Sequence, residues 1–123
     1  MWQAIELVGV PANFFFVGDT VNDYPELVRE IADNHQTESH TMHHYNLRKL
    51  NYYEQHHAIM DGKAVVEDCI QRPTRGFRAP YHSLNWDTVR VLNENEFTFD
   101  ASLLYYRYFK LGAVEMIRPT WFR

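Results

Sequence analysis

Gln36-Thr37-Glu38-Ser39-His40-Thr41-Met42-His43-His44 decides how this chain is read, because a brief strand over Gln36 to Ser39 would deliver His40 at its carboxyl end. Open α/β sheets and barrels place their chemistry at that end of their strands. Four of the seven histidines fall between His35 and His44, and neutral imidazole is the commonest protein ligand for zinc and its neighbours. If the segment turns helically, His40 and His44 stand one turn apart on one face, close enough to grip one ion. His43 is also in reach, and spacing alone leaves the choice of ligands open.

Working outward, the elements alternate between helix and strand without linkers, repeats or low-complexity segments, which predicts an α/β fold on parallel strands. Trp2 to Val8 reads as the tail of a helix stopped by Gly9 and Pro11, and Ala12 to Val17 as a buried strand. Asp23 with Glu26 forms a capping-box pattern, Pro25 suits the first helical turn, and Leu27, Val28, Ile31 and Ala32 supply a buried stripe. A long helix is expected from Tyr52 to Ile70, with Ile59, Val66 and Ile70 at helical spacing and Gly62 as a weak point costing about 1 kcal/mol relative to Ala. Arg75 to Arg78 reads as a strand, Asn85 as the cap of a helix through Val89 and Leu92, and Phe97 to Asp100 as the next strand. The aromatic run from Leu103 to Phe109 fits neither period, and Ala113 to Ile117 reads as a last strand.

Composition narrows the function classes. With 123 residues, 46% hydrophobic and 15% aromatic, the whole of residues 1–123 is expected to form a single domain around one core. A net charge of -4 with scattered basic residues argues against a nucleic-acid partner, which would need clustered Lys and Arg. No apolar run approaches the ~20 residues of a membrane span, and Met1-Trp2-Gln3 does not open an export signal. The single cysteine, Cys69, sits beside Val65 and Val66 and reads as a core thiol.

Two motifs then stand in order. His40-Thr41-Met42-His43-His44 matches a His-(Ser/Thr)-x-x-His pattern, and Arg78-Ala79-Pro80-Tyr81 an Arg-x-Pro-Tyr pattern. With Gly9 to Gly18 as a strand block and Tyr24 to Ile31 as the helix after it, the chain resembles the polysaccharide deacetylase family, carbohydrate esterases that remove N-acetyl groups from chitin-like or peptidoglycan sugars. The resemblance implies part of a (β/α) barrel, incomplete at both ends. It implies a divalent metal, zinc first, held by His40 and His44 with His43 a bystander. It further implies Arg78, Tyr81 and Asp100 in the catalytic group, with the backbone N–H of Tyr81 facing an oxyanion, and Phe77, Pro80, Tyr81 and Trp86 along the substrate cleft. The expected partner is an N-acetylated sugar polymer or oligomer.

The departures are equally specific. The family's Asp-Asp pair upstream and its Leu-x-His triplet downstream are absent from this sequence, and Asp100 lacks the Trp expected four residues on. Arg78, normally forked to a catalytic carboxylate, needs another partner; a structural ion pair with Asp100 is the plainest substitute. Asn34, Glu38 and Glu96 stand where the family usually has glycine, so Glu38 and Glu96 are expected to be strained if the backbone turns left-handed there. His35 reads as a packing or hydrogen-bonding residue and the His56-His57 pair as exposed, while His82, following the second motif where glycine is common, could reach the cleft. A full eight-fold barrel takes roughly 250 residues, so an internal fragment of weak or absent activity is expected. The alternative is a non-catalytic carbohydrate-binding or interaction module, self-associating through exposed sheet edges.

Overall fold

The computed structural model describes residues 2–103, 109–111 and 114–116. Helix α1 (Trp2–Val8) ends at Gly9, whose φ of 68° lets the chain reverse without a Cβ penalty. Strand β1 (Asn13–Phe16) follows, then the short helix α2 (Gly18–Asp23) and helix α3 (Pro25–Asn34). Strand β2 (Gln36–Ser39) leads to the histidine segment, helix α4 (Tyr52–Ile70) and strand β3 (Gly76–Phe77). Helix α5 (Trp86–Glu94), strand β4 (Phe99–Asp100) and strands β5 (Phe109–Leu111) and β6 (Val114–Met116) complete the described chain.

These strands form one sheet in the order β1-β2-β3-β4-β6-β5. Strands β1 to β4 pair in parallel with their sequence neighbours, β6 runs parallel to β4, and β5 closes an antiparallel pair with β6. The expected α/β architecture on parallel strands is therefore present. Alternation along the strands sorts the side chains between two faces. Phe77 turns toward the helices, into a core of Leu47, Ile59, Ala79, Val91, Leu92 and Phe97. A second cluster of Val21, Val28, Val66 and Cys69 joins α2, α3 and α4, and Cys69 is the core thiol its neighbours predicted.

Helix starts follow their side chains closely. Asn51 and Glu54 cap α4 reciprocally, and Asn85 and Thr88 do the same for α5. Buried Gln55 ties the two starts together, donating to the Asn85 Oδ1 and accepting from the Thr88 hydroxyl. The expected Asp23 box does not form, because Asp23 ends α2 and Tyr24 occupies the cap of α3 without a side-chain bond. Pro25 at the first position is enough to start that helix, since its missing N–H needs no partner there. Val28, Ile31 and Ala32 are buried as expected, but Leu27 stays largely exposed.

Of Asn34, Glu38 and Glu96, only Glu96 is left-handed, with φ 64°. Glu38 instead lies inside β2, buried, and its carboxylate accepts the backbone N–H groups of Arg75 and Gly76 at 2.9 and 2.7 Å and the side-chain amide of Gln36 at 2.7 Å. It staples the start of β3 to β2. Most of the aromatic run lies outside the described residues, apart from its end in β5, and the strand expected over Ala113 to Ile117 appears as β6.

Candidate active site

Every strand carrying a suspect residue ends on the same side of the sheet. His40 follows β2, its N–H bonded to the Phe16 carbonyl of β1; Arg78 follows β3, its N–H reaching the Ser39 carbonyl; Ala101 follows β4, its N–H on the Phe77 carbonyl. Parallel pairing thus extends one residue past each strand and delivers His40, Arg78 and Asp100 to one rim.

The histidine segment is not a helix. Thr41 adopts φ 65°, an uncommon conformation for a β-branched residue, and its buried hydroxyl bridges the carbonyls of His40 and His43 at 2.5 and 2.6 Å. The turn is gripped from both sides. Gly18 and Asp19, at the start of α2, donate to the carbonyls of Thr41 and Met42, while the Met42 N–H donates to the Ala58 carbonyl of α4 at 2.8 Å. Gly62 makes this approach possible, since a Cβ there would stand 2.3 Å from the Thr41 carbonyl carbon. The turn achieves what the helix would have done, bringing the rings of His40 and His44 to 5.1 Å between centroids.

His40 is set for ligation. Its Nδ1 lies 2.5 Å from the Arg78 carbonyl, which can only accept, so the proton belongs on Nδ1 and the lone pair on Nε2. Burial lowers its pKa, with opposing help to the charged form from the Arg78 carbonyl and further lowering by His44, Arg78 and His82. The ring is thereby kept neutral where a metal would need it. His43 points instead to Asp19, with Nδ1 2.7 Å from Oδ2. His35 is buried between the Ala12 N–H and the Glu6 carboxylate, a hydrogen-bonding role as expected. Of the helical pair, His57 is exposed and His56 half-buried.

Arg78 does not pair with Asp100: among the described residues no ion pair joins them. Its Nε donates to the Ala101 carbonyl at 3.0 Å and its guanidinium lies 4.9 Å above the Phe15 ring. Asp100 is fully buried and accepts both the N–H and the hydroxyl of Ser102, at 2.9 and 2.6 Å. Burial outweighs these bonds and the Arg78 charge, pushing its carboxyl up to about 6. Folding therefore favours the protonated form. The contribution is fully present below the ordinary value of 3.8 and lost as pH rises through about 6, a swing on the order of 3 kcal/mol. In chemical denaturation, Asp100→Asn should accordingly gain about that much on the parent between pH 4 and pH 7; an unchanged gap would rule burial out as the dominant cause.

Pro80 opens a 3-10 turn, Pro80–His82, on which Tyr81 and His82 are both left-handed, with φ 58° and 52°. Tyr81 is 64% exposed and its ring stands edge-on to His44, 4.7 Å between centroids. Trp86, the first residue of α5, is 74% exposed and free to offer a flat face. Phe77 does not line the cleft as expected, because its side chain is fully buried against Phe97. Pro80 is likewise buried, so its part is to shape the turn.

The structure adds Thr41, Gly62 and Ser102 to the residues that shape the site. Thr41 carries a sequence signal as the Ser/Thr position of the first motif, Gly62 one only as an unfavourable residue inside a helix, and Ser102 none. A cavity of about 400 Å³ between Glu38, Arg72, Arg75 and Phe99 lies at the opposite, amino end of the strands. Among the described residues no group of three or more His, Cys, Asp and Glu is placed to share a metal, so the fit for zinc extends to two imidazoles.

Comparisons with known proteins bear on the family and the fold. The family model for polysaccharide deacetylase matches residues 3–99. A chitooligosaccharide deacetylase from Bradyrhizobium sp. (strain ANU 289) is 38% identical over 74 residues, which is 58% of this chain and 34% of the relative. A peptidoglycan-N-acetylglucosamine deacetylase from Bacillus cereus is 27% identical over 89 residues, 72% of this chain and 32% of the relative. The chain thus spans about a third of the length of these curated relatives. Among solved structures, a candidate polysaccharide deacetylase from Mycobacterium smegmatis superposes with a TM-score of 0.83 at 26% identity, covering 95% of this chain and 43% of that one. A carbohydrate esterase family 4 pseudoenzyme from Bacillus anthracis gives 0.75 at 17% identity, covering 96% and 48%, and supports the fold alone. With the two motifs on one rim and residues 3–99 matched by its model, the chain belongs to the polysaccharide deacetylase family.

Proposed function

We propose that this chain carries part of the site of a metal-dependent deacetylase that hydrolyses N-acetyl groups of chitin-like or peptidoglycan sugars. One observation carries the reading: His40, oriented through Nδ1 by the Arg78 carbonyl, stands beside His44 at the carboxyl rim of a parallel sheet. A divalent ion, zinc first, would be held by His40 and His44 and would supply Lewis acidity toward an acetamide carbonyl. The chain's own residues do the remaining work. The Arg78 carbonyl holds the proton on Nδ1 of His40, and the left-handed turn at Tyr81 turns its ring onto His44. Arg78 is braced by its Nε on the Ala101 carbonyl and by its guanidinium over Phe15, which fixes it beside the pair.

Two imidazoles alone hold zinc weakly, so turnover by this chain is expected to be very low. Calorimetry with zinc should give a weak isotherm, and His44→Ala should lose at least about ten-fold in affinity; identical isotherms would overturn the reading. A second reading, a non-catalytic sugar-binding module, is favoured by the exposure of Tyr81 and Trp86. It predicts that an N-acetylated oligosaccharide binds equally well with zinc and with a chelator. Association of copies through the outer edge of β1 belongs to the same reading.

A further inference from the structure

His82 is held in a way that an ordinary surface histidine is not. Its backbone lies at φ 52°, directly after Tyr81 at φ 58°, a conformation that glycine would take without strain. Its ring is exposed, so burial of the ring does not offset that strain. The ring is nevertheless fixed, because Nδ1 lies 3.0 Å from the Ser102 carbonyl oxygen. Ser102 is itself locked. It is fully buried, donates its N–H and hydroxyl to Asp100, and accepts the Ala79 N–H on its hydroxyl oxygen at 2.7 Å. A chain of hydrogen bonds therefore runs from buried Asp100 through Ser102 to an imidazole in solvent.

The direction of the last bond decides what the ring can do. A carbonyl oxygen accepts, so Nδ1 carries the proton and Nε2 presents a lone pair outward. The ring stands beside the mouth that holds the metal pair, because the neighbouring residue, Tyr81, packs on His44 at 4.7 Å between ring centroids. Among the described residues, His82 is not one of a three-residue metal cluster as the side chains stand. An oriented acceptor at the edge of a site suits a ligand rich in O–H and N–H groups.

We propose that His82 is a substrate-contacting residue, its Nε2 accepting a hydrogen bond from a hydroxyl or acetamido N–H of an N-acetylated sugar seated at the His40–His44 mouth. This rests on the functional reading given above. Asp100 and Ser102 are the positioning residues behind it, and the left-handed backbone is retained because it aims the ring.

The test compares the parent chain with His82→Gly and His82→Ala, titrated with zinc alone and then with an N-acetylglucosamine trisaccharide in the presence of zinc. Thermal unfolding is followed in parallel. His82→Gly should melt at the parent temperature or above it, both variants should bind zinc within two-fold of the parent, and both should bind the trisaccharide at least five-fold more weakly. Trisaccharide affinities equal to the parent's, with zinc binding intact, would overturn the contact and leave the metal reading standing. A clearly lower melting temperature for His82→Gly would show that the ring serves the fold and would also overturn it. A parent chain that binds neither zinc nor trisaccharide would remove the functional reading and this inference together.

Discussion

Replacing Gly62 with Ala should destabilise the protein by about 2 to 3 kcal/mol, although in an isolated helix the same change would be worth roughly 1 kcal/mol in the other direction. The added methyl would stand 2.3, 2.6 and 2.6 Å from the Thr41 carbonyl carbon, the Met42 nitrogen and the Thr41 carbonyl oxygen. All three are backbone atoms of the turn that carries His40 and His44, so relief requires moving the turn itself. That turn is also bonded to Ala58 of the same helix and to Gly18 and Asp19 of α2. Zinc affinity should therefore fall together with stability. Urea unfolding of Gly62→Ala, with calorimetry at a temperature where the variant is folded, measures both effects. A variant more stable than the parent would show that helix propensity, not close approach, governs the position.

Glu38→Leu should have a comparably large effect, a loss of about 3 kcal/mol, because the buried Gly76 N–H, the half-buried Arg75 N–H and the Gln36 amide would lose their acceptor. Leu would suit a buried strand position on hydrophobicity alone. The conservative Glu38→Gln keeps one oxygen to receive the Arg75 and Gly76 N–H groups and should cost no more than about 1 kcal/mol. Denaturation midpoints of the two variants distinguish the roles: equal losses would mean that charge, not acceptor count, is what holds β3 to β2.

Much of the architecture was legible because the signals were local and agreed with one another. Gln36–Ser39, Tyr52–Ile70 and the Asn85-capped helix all lie where periodicity and capping chemistry put them. The Asp23 box failed because a second helix, α2, already claimed that residue, and nothing in a five-residue window reports where the preceding helix ends. At the rim, the identities of His40, His44 and Arg78 were readable from motif and order, but the means of bringing the histidines together was not. It depends on a left-handed threonine and on a glycine twenty-one positions away in another element. Glu38 shows the same limit from the opposite side. Its residue type suggested strain in a glycine position, whereas tertiary structure turned it into an acceptor for the neighbouring strand.

Because β1, β2, β3 and β4 lie side by side in the order in which they are synthesised, each new strand finds its docking edge already made. Growth of these four strands on an emerging polypeptide can keep pace with translation, each addition closing only the helical crossover that has just been made.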